Sequence, residues 1–263
     1  MGRSTRLAVT VTSSVAGVGV TAVVVREVLR RQAAVARRRI GKPLGELAPD
    51  SDRVWRRSLE GAPLELLLLG DSIAAGLGAE RRKDTLGARL AKDVARRTHR
   101  PVRLRTAAVV GSESSALAGQ LDALPPDYVA DLAVIVVGGN DVTHRVPVSV
   151  ATGHLIEAIG RLRERGSAVV VATCPDLRSL RAVPQPLRSL ASRLSRQLAN
   201  EQAEAATAAG AEVFSLRRTV GPMFLSEPDE MFSLDRFHPS ALGYRRTAEA
   251  LLPVALHALT RHA

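Results

Sequence analysis

With a single cysteine, Cys174, among 263 residues, the chain cannot form an internal disulfide. Its fold must rest on apolar packing, and nothing in it requires an oxidising compartment. Cys174 closes an apolar run and is expected to be a passive, partly buried thiol. No Cys/His cluster has metal-ligand spacing, so neither a metal nor another cofactor is expected. Aromatic residues make up only 3%, which leaves few rings for stacking on bases. The net charge of +11 does not overturn that, because it is uneven: residues 1–60 hold 12 of the 37 Lys/Arg but only 5 of the 26 Asp/Glu. A basic N-terminal segment on a near-balanced domain explains the charge better than a nucleic-acid partner.

What is present reads as globular. Hydrophobic residues are 46% and charged residues 24%. The length allows one domain of about 200 residues with an extension. Residues 1–39 form that basic extension, residues 40–63, rich in Gly and Pro, a linker, and residues 64–263 the domain. Trp55 is expected to pack on the domain edge. Leu7–Val25 is an uncharged run of 19 residues between Arg3/Arg6 and Arg26/Arg30/Arg31. Its length suits a single-pass anchor, and membrane association through residues 7–25 is the expectation. A cleaved signal peptide and a surface helix are the alternatives. The charges after the run would place the domain on the cytoplasmic side, whereas an exported enzyme needs the opposite.

From Leu64 onward, apolar runs alternate with helical patterns. Strands are expected at Leu64–Leu69, Val102–Val110, Leu132–Val137, Ala168–Thr173 and Glu212–Phe214. Helices are expected at Thr85–Thr98, Ser114–Leu121, Val148–Arg165, Leu187–Ala209 and Pro239–Leu259. Such alternation implies a parallel sheet with helices on both faces, and ligands in such folds bind beyond the C-terminal strand ends.

Four short blocks then fall into place. Gly70-Asp71-Ser72 follows the first strand, Gly111 the second, and Gly138-Gly139-Asn140-Asp141 the third; Asp235-Arg236-Phe237-His238 precedes the last helix. Each has an ordinary structural reading: an N-cap serine, a strand-ending glycine, a turn, a polar helix start. Three of them nevertheless converge on one sheet edge. A serine beyond a strand can expose its hydroxyl, Asn140 and the N–H groups of Ser72 and Gly111 can face an oxyanion, and Asp235 can orient His238. Asp71, Gly139 and His144 lie close enough to the active edge to be assigned to substrate contact.

This quartet resembles the SGNH hydrolases, also called GDSL esterases and lipases, over about residues 64–259. Gly243-Tyr244, after His238-Pro239, is similar to the start of the family's last helix. One departure is Thr106-Ala107-Ala108, where many members carry an asparagine before the second-block glycine. Asp141-Val142-Thr143-His144-Arg145 is similar to actinobacterial envelope-associated members. The resemblance implies a three-layer α/β/α sandwich with a flavodoxin-like five-stranded parallel sheet. It also implies Ser72 as nucleophile, His238 as base and Asp235 as its orienter. The oxyanion hole would comprise Ser72, Gly111 and Asn140. A serine esterase acting on a small-molecule acyl ester of short or medium chain is expected; an acyltransferase using the same triad and a non-catalytic, membrane-tethered binding member are the alternatives. The loop Pro175–Pro186, with Leu177, Leu180 and Val183 beside Arg178 and Arg181, is expected to help select the acyl group.

Overall fold

The computed structural model describes residues 23–262. Helix α1 (23–40) leads into strand β1 (Arg53–Trp55), β2 (Leu64–Gly70), α2 (Ser72–Ala75), α3 (Leu86–Thr98) and β3 (Val102–Thr106). There follow α4 (Leu117–Asp122), β4 (Leu132–Val136), α5 (Gly139–His144), α6 (Val148–Glu164), β5 (Ala168–Ala172) and α7 (Leu187–Ala208). The chain closes with β6 (Glu212–Phe214), the short helices α8 (Leu216–Thr219), α9 (Gly221–Ser226) and α10 (Pro228–Met231), and α11 (Ala241–His262).

The sheet has six strands in the order β1-β3-β2-β4-β5-β6. Five are parallel, as expected; β1 is antiparallel to β3, with Val54 opposite Arg103. The five-stranded parallel expectation is therefore corrected to a mixed six-stranded sheet. The added strand comes from the stretch read as linker. Trp55 belongs to it, packs against the core and lies under Lys92, whose Nζ is 5.3 Å from the ring centroid.

Strand β2 shows why a continuous apolar run was needed. Leu66 and Leu68 point into one core with α3 and α11, while Leu67 and Leu69 point into a second core with α4 and α6. Successive side chains alternate across a sheet, so a strand covered on both faces must be apolar at both parities. All four leucines are fully buried, each worth about 1.5–3 kcal/mol relative to exposure. Strand β3 ends earlier than expected, at Thr106. Beyond it the N–H groups of Ala107 and Ala108 share the Leu68 carbonyl, and the Val109 N–H reaches the Gly70 carbonyl at 3.1 Å, a bulge that ends the regular register.

The expected membrane anchor is also corrected. Among the described residues no helix is long and apolar enough to cross a membrane. Of the run 7–25, only Val23–Val25 are described. They open α1, which continues through Arg26, Glu27, Arg30 and Arg31 and lies against the domain at the buried Ala36. The Gln32 side chain donates to the Gln185 carbonyl and accepts from the Leu187 N–H. Residues 7–22 lie outside the described residues.

Candidate active site

The register aligns the C-terminal ends of the central strands: Gly70 lies opposite Val136, Val136 opposite Ala172, and Ala172 opposite Phe214. Whatever follows β2, β4 and β5 therefore emerges on one edge. Gly70 has φ +124°, and a Cβ there would lie 1.8 Å from the Val136 carbonyl oxygen, so only glycine fits. The chain turns at once into α2. Asp71 caps that helix, its Oδ1 accepting the Ile73 N–H at 3.0 Å, and Ser72 is the first helical residue.

His238 approaches from the other end of the chain. Its Nε2 lies 2.9 Å from Ser72 Oγ and its Nδ1 lies 2.5 Å from Asp235 Oδ2. The other Asp235 oxygen accepts the Ser233 hydroxyl and the N–H groups of Phe237 and His238, each at 2.9 Å. Burial alone would raise the Asp235 carboxyl; the hydrogen bonds from the His238 ring and from the His238 and Phe237 N–H groups outweigh it and hold the pKa down to about 2. An ionised Asp235 can only accept, which puts a proton on Nδ1 and leaves Nε2 to accept from the serine hydroxyl.

Ser72, Asn140 and His238 face one cavity of about 80 Å³. Its walls are largely apolar, with Leu177 and Leu180 from the 175–186 loop and Phe224, Phe232 and Phe237 opposite. Asn140 Nδ2 donates to the Ser112 carbonyl at 2.9 Å. An amide nitrogen carries two hydrogens, so one remains for a ligand. Gly139 and the buried Asp71 both line the cavity. Burial raises the Asp71 carboxyl to about 7, with Asp141 adding to the effect; the Ile73 and Gly139 N–H groups and His238 oppose it.

Two further residues assigned to the site do not line this cavity. Gly111, at φ +83°, lines a separate open depression of about 610 Å³ with Ala75, Thr106 and residues 46–52. His144 is exposed, pairs through Nδ1 with Glu113 at 2.6 Å and does not line the cavity. Conversely, the phenylalanine wall was not anticipated. All four phenylalanines of the chain fall within residues 214–237, and that clustering was the available signal. Asp141 was also passed over: both its oxygens accept the Ser114 N–H, at 3.1 and 3.2 Å, which ties the β3–α4 loop to α5. Among the described residues no three His, Cys, Asp or Glu side chains gather as a metal site.

A sheet with serine, histidine and aspartate in series at its C-terminal edge is the framework of a hydrolase. The chain belongs to the GDSL-like lipase/acylhydrolase family, whose model matches residues 68–246. It is similar to a GDSL-like esterase of Mycobacterium tuberculosis, 36% identical over 275 residues that cover 99% of this chain and 86% of that protein. Among solved structures, an α/β hydrolase from the metagenome of Lake Arreo superposes with a TM-score of 0.61 at 19% identity, covering 76% of this chain and 98% of that one. The acetylxylan esterase Axe2 of Geobacillus stearothermophilus gives 0.59 at 17% identity, covering 74% and 95%. The fold is that of these SGNH hydrolases, and the protein is a carboxylic ester hydrolase.

Proposed function

We propose that the protein hydrolyses short- to medium-chain acyl esters of a small molecule through an acyl-enzyme on Ser72. The observation that carries this reading is the unbroken series Ser72 Oγ, His238 Nε2, His238 Nδ1 and Asp235 Oδ2, at 2.9 and 2.5 Å. His238 takes the Ser72 proton as Oγ attacks the ester carbonyl, and Asp235 stabilises the imidazolium that forms. The oxyanion is held by the Ser72 N–H and the free hydrogen of the Asn140 amide. His238 returns the proton to the departing alcohol. Water, deprotonated by the same ring, then releases the acid. Gly111, one residue from the Ser112 carbonyl that holds the Asn140 amide, would offer its N–H as the third donor. The small apolar cavity beside Ser72 supports the acyl-length assignment, and the loop residues Leu177 and Leu180 in its wall support a role for Pro175–Pro186 in selecting the acyl group.

The test is hydrolysis of p-nitrophenyl esters from acetate to palmitate by the full chain and by Ser72→Ala. Turnover is expected to peak among the short and medium esters and to vanish in the variant, with the circular dichroism unchanged. Turnover surviving in folded Ser72→Ala would remove the serine from the mechanism.

A further inference from the structure

At the active edge the sheet's hydrogen bonding thins, because the strands part to release their loops. Two side chains take over there, both glutamines and both from helices that contribute nothing to the cavity wall. Gln120 of α4 is 5% exposed. Its Oε1 accepts the Gly70 N–H at 2.8 Å and its Nε2 donates to the Gly70 carbonyl at 2.8 Å, with a longer contact of 3.4 Å to Ser112 Oγ. Gln202 of α7 is fully buried. Its Oε1 accepts the Cys174 N–H at 2.7 Å and its Nε2 donates to the Val137 carbonyl at 3.0 Å. A primary amide offers the same donor and acceptor pair as a peptide group. Gln120 thus stands in for a strand neighbour at the Gly70 N–H and shares the Gly70 carbonyl with the Val109 N–H at 3.1 Å, while Gln202 bridges the ends of β4 and β5.

The places they hold are not arbitrary. Gly70 is two residues before Ser72, and Val137 is three before Asn140. Gly138, between Val137 and the Asn140 turn, is itself seated on the second clamp. A Cβ on Gly138 would lie 2.9 Å from Cys174 Cβ and 3.1 Å from Gln202 Nε2. An apolar side chain could fill either buried site, but it would leave the Gly70 and Cys174 N–H groups and the Val137 carbonyl without these partners. Here the amide groups are instead committed to the two turns that bear the nucleophile and the amide facing it. Fully satisfied buried polar groups of this kind restrict geometry more than they add stability.

We propose that Gln120 and Gln202 are positioning residues, setting the Ser72 turn and the Asn140 turn at the separation that a tetrahedral oxyanion requires. This rests on the roles given above to Ser72 and Asn140. Neither glutamine touches substrate; each acts through the backbone it holds.

The experiment compares Gln120→Met and Gln202→Met with wild type, Ser72→Ala and Asn140→Ala on p-nitrophenyl butyrate. Methionine keeps nearly the volume and removes both hydrogen bonds. Each Met variant is expected to lose about 10–100-fold in kcat, with KM within about twofold and a cooperative melt. Gln202→Met combined with Asn140→Ala should be no slower than Asn140→Ala alone by more than about twofold, because the glutamine works through that asparagine. A purely structural glutamine would instead multiply its loss onto the double variant. Should a Met variant fail to fold, Gln120→Asn or Gln202→Asn takes its place, keeping the amide on a stem one methylene too short to hold both partners. Wild-type kcat in the folded variants, or full multiplication in the double variant, overturns the proposal while inactive Ser72→Ala leaves the site assignment standing. Active Ser72→Ala overturns both.

Discussion

Gly78 is packed so closely on His238 that a Cβ would stand 2.9 Å from the histidine Cβ and 2.4 Å from the Pro239 carbonyl oxygen. The turn after α2 thereby braces the ring that faces Ser72. Tyr244, fully buried, secures the same turn by donating to the Leu77 carbonyl at 2.6 Å.

The first prediction follows from that contact. Gly78 has φ +105°, a region that side chains rarely occupy, so Gly78→Ala combines backbone strain with displacement of His238. We expect a stability loss of about 1–3 kcal/mol and a kcat loss of at least about tenfold. Chemical denaturation and ester kinetics read the two effects separately.

Asp235→Asn removes the acceptor that fixes the histidine proton. By analogy with other triads, turnover should fall on the order of 10⁴-fold with the fold retained. The same carboxyl makes stability depend on pH. Its folded pKa of about 2 lies below the ordinary carboxyl value of 3.8, so its contribution is complete above 3.8 and is lost as pH falls towards 2. The stability gap between wild type and Asp235→Asn should therefore close on acidification through that window, which denaturation at a series of acid pH values will show.

Asp71 has the opposite sign. Its folded pKa of about 7 exceeds the ordinary carboxyl value of 3.8, so between the two the folded protein holds a proton that the unfolded chain has released. Stability should decline as pH rises between those values. Asp71→Asn keeps an N-cap acceptor for Ile73 while removing the charge, and is expected to flatten that decline. An unchanged slope in urea titrations across the interval would contradict it.

Asn140→Ala should lower kcat by about 10²–10³ with little change in KM, as expected for a donor used chiefly in the transition state. Steady-state kinetics on one short ester suffice to see it.

Leu180 lies in the cavity wall and is 5% exposed. Leu180→Ala should move the preferred acyl chain towards longer esters while costing about 2–5 kcal/mol of stability. A chain-length profile identical to wild type would place the acyl group elsewhere.

Much of this was legible in the residues. The leucine run of β2 could be nothing but a doubly covered strand. The blocks around Ser72, Asn140 and His238 lay in an order that only an α/β edge brings together. What escaped had physical reasons. Strand β1 is only three residues long, flanked by charges, and exists because β3 offers it a partner; no local pattern encodes that. The helices α8 to α10 are four to six residues each, too short for a periodicity to show. The course of the chain after Thr106 includes two N–H groups sharing the Leu68 carbonyl, which no local sequence pattern signals. Reading the N-terminal run for length and apolarity alone suggested a bilayer span, but its last three residues begin a charged helix that Gln32 fastens to the 175–186 loop and α7.

Strand β1 has a colloidal consequence as well. A parallel sheet that stopped at β3 would present Val102–Thr106 as an open template for another chain. By running the other way for three residues and then leaving, β1 occupies that template and is itself too brief to recruit a successor. The three residues of β1 thus act as a stopper against edge-to-edge growth at Val102–Leu104, and a version of the protein trimmed to begin at Leu64 should self-associate more than the longer chain, as light scattering of the two would show.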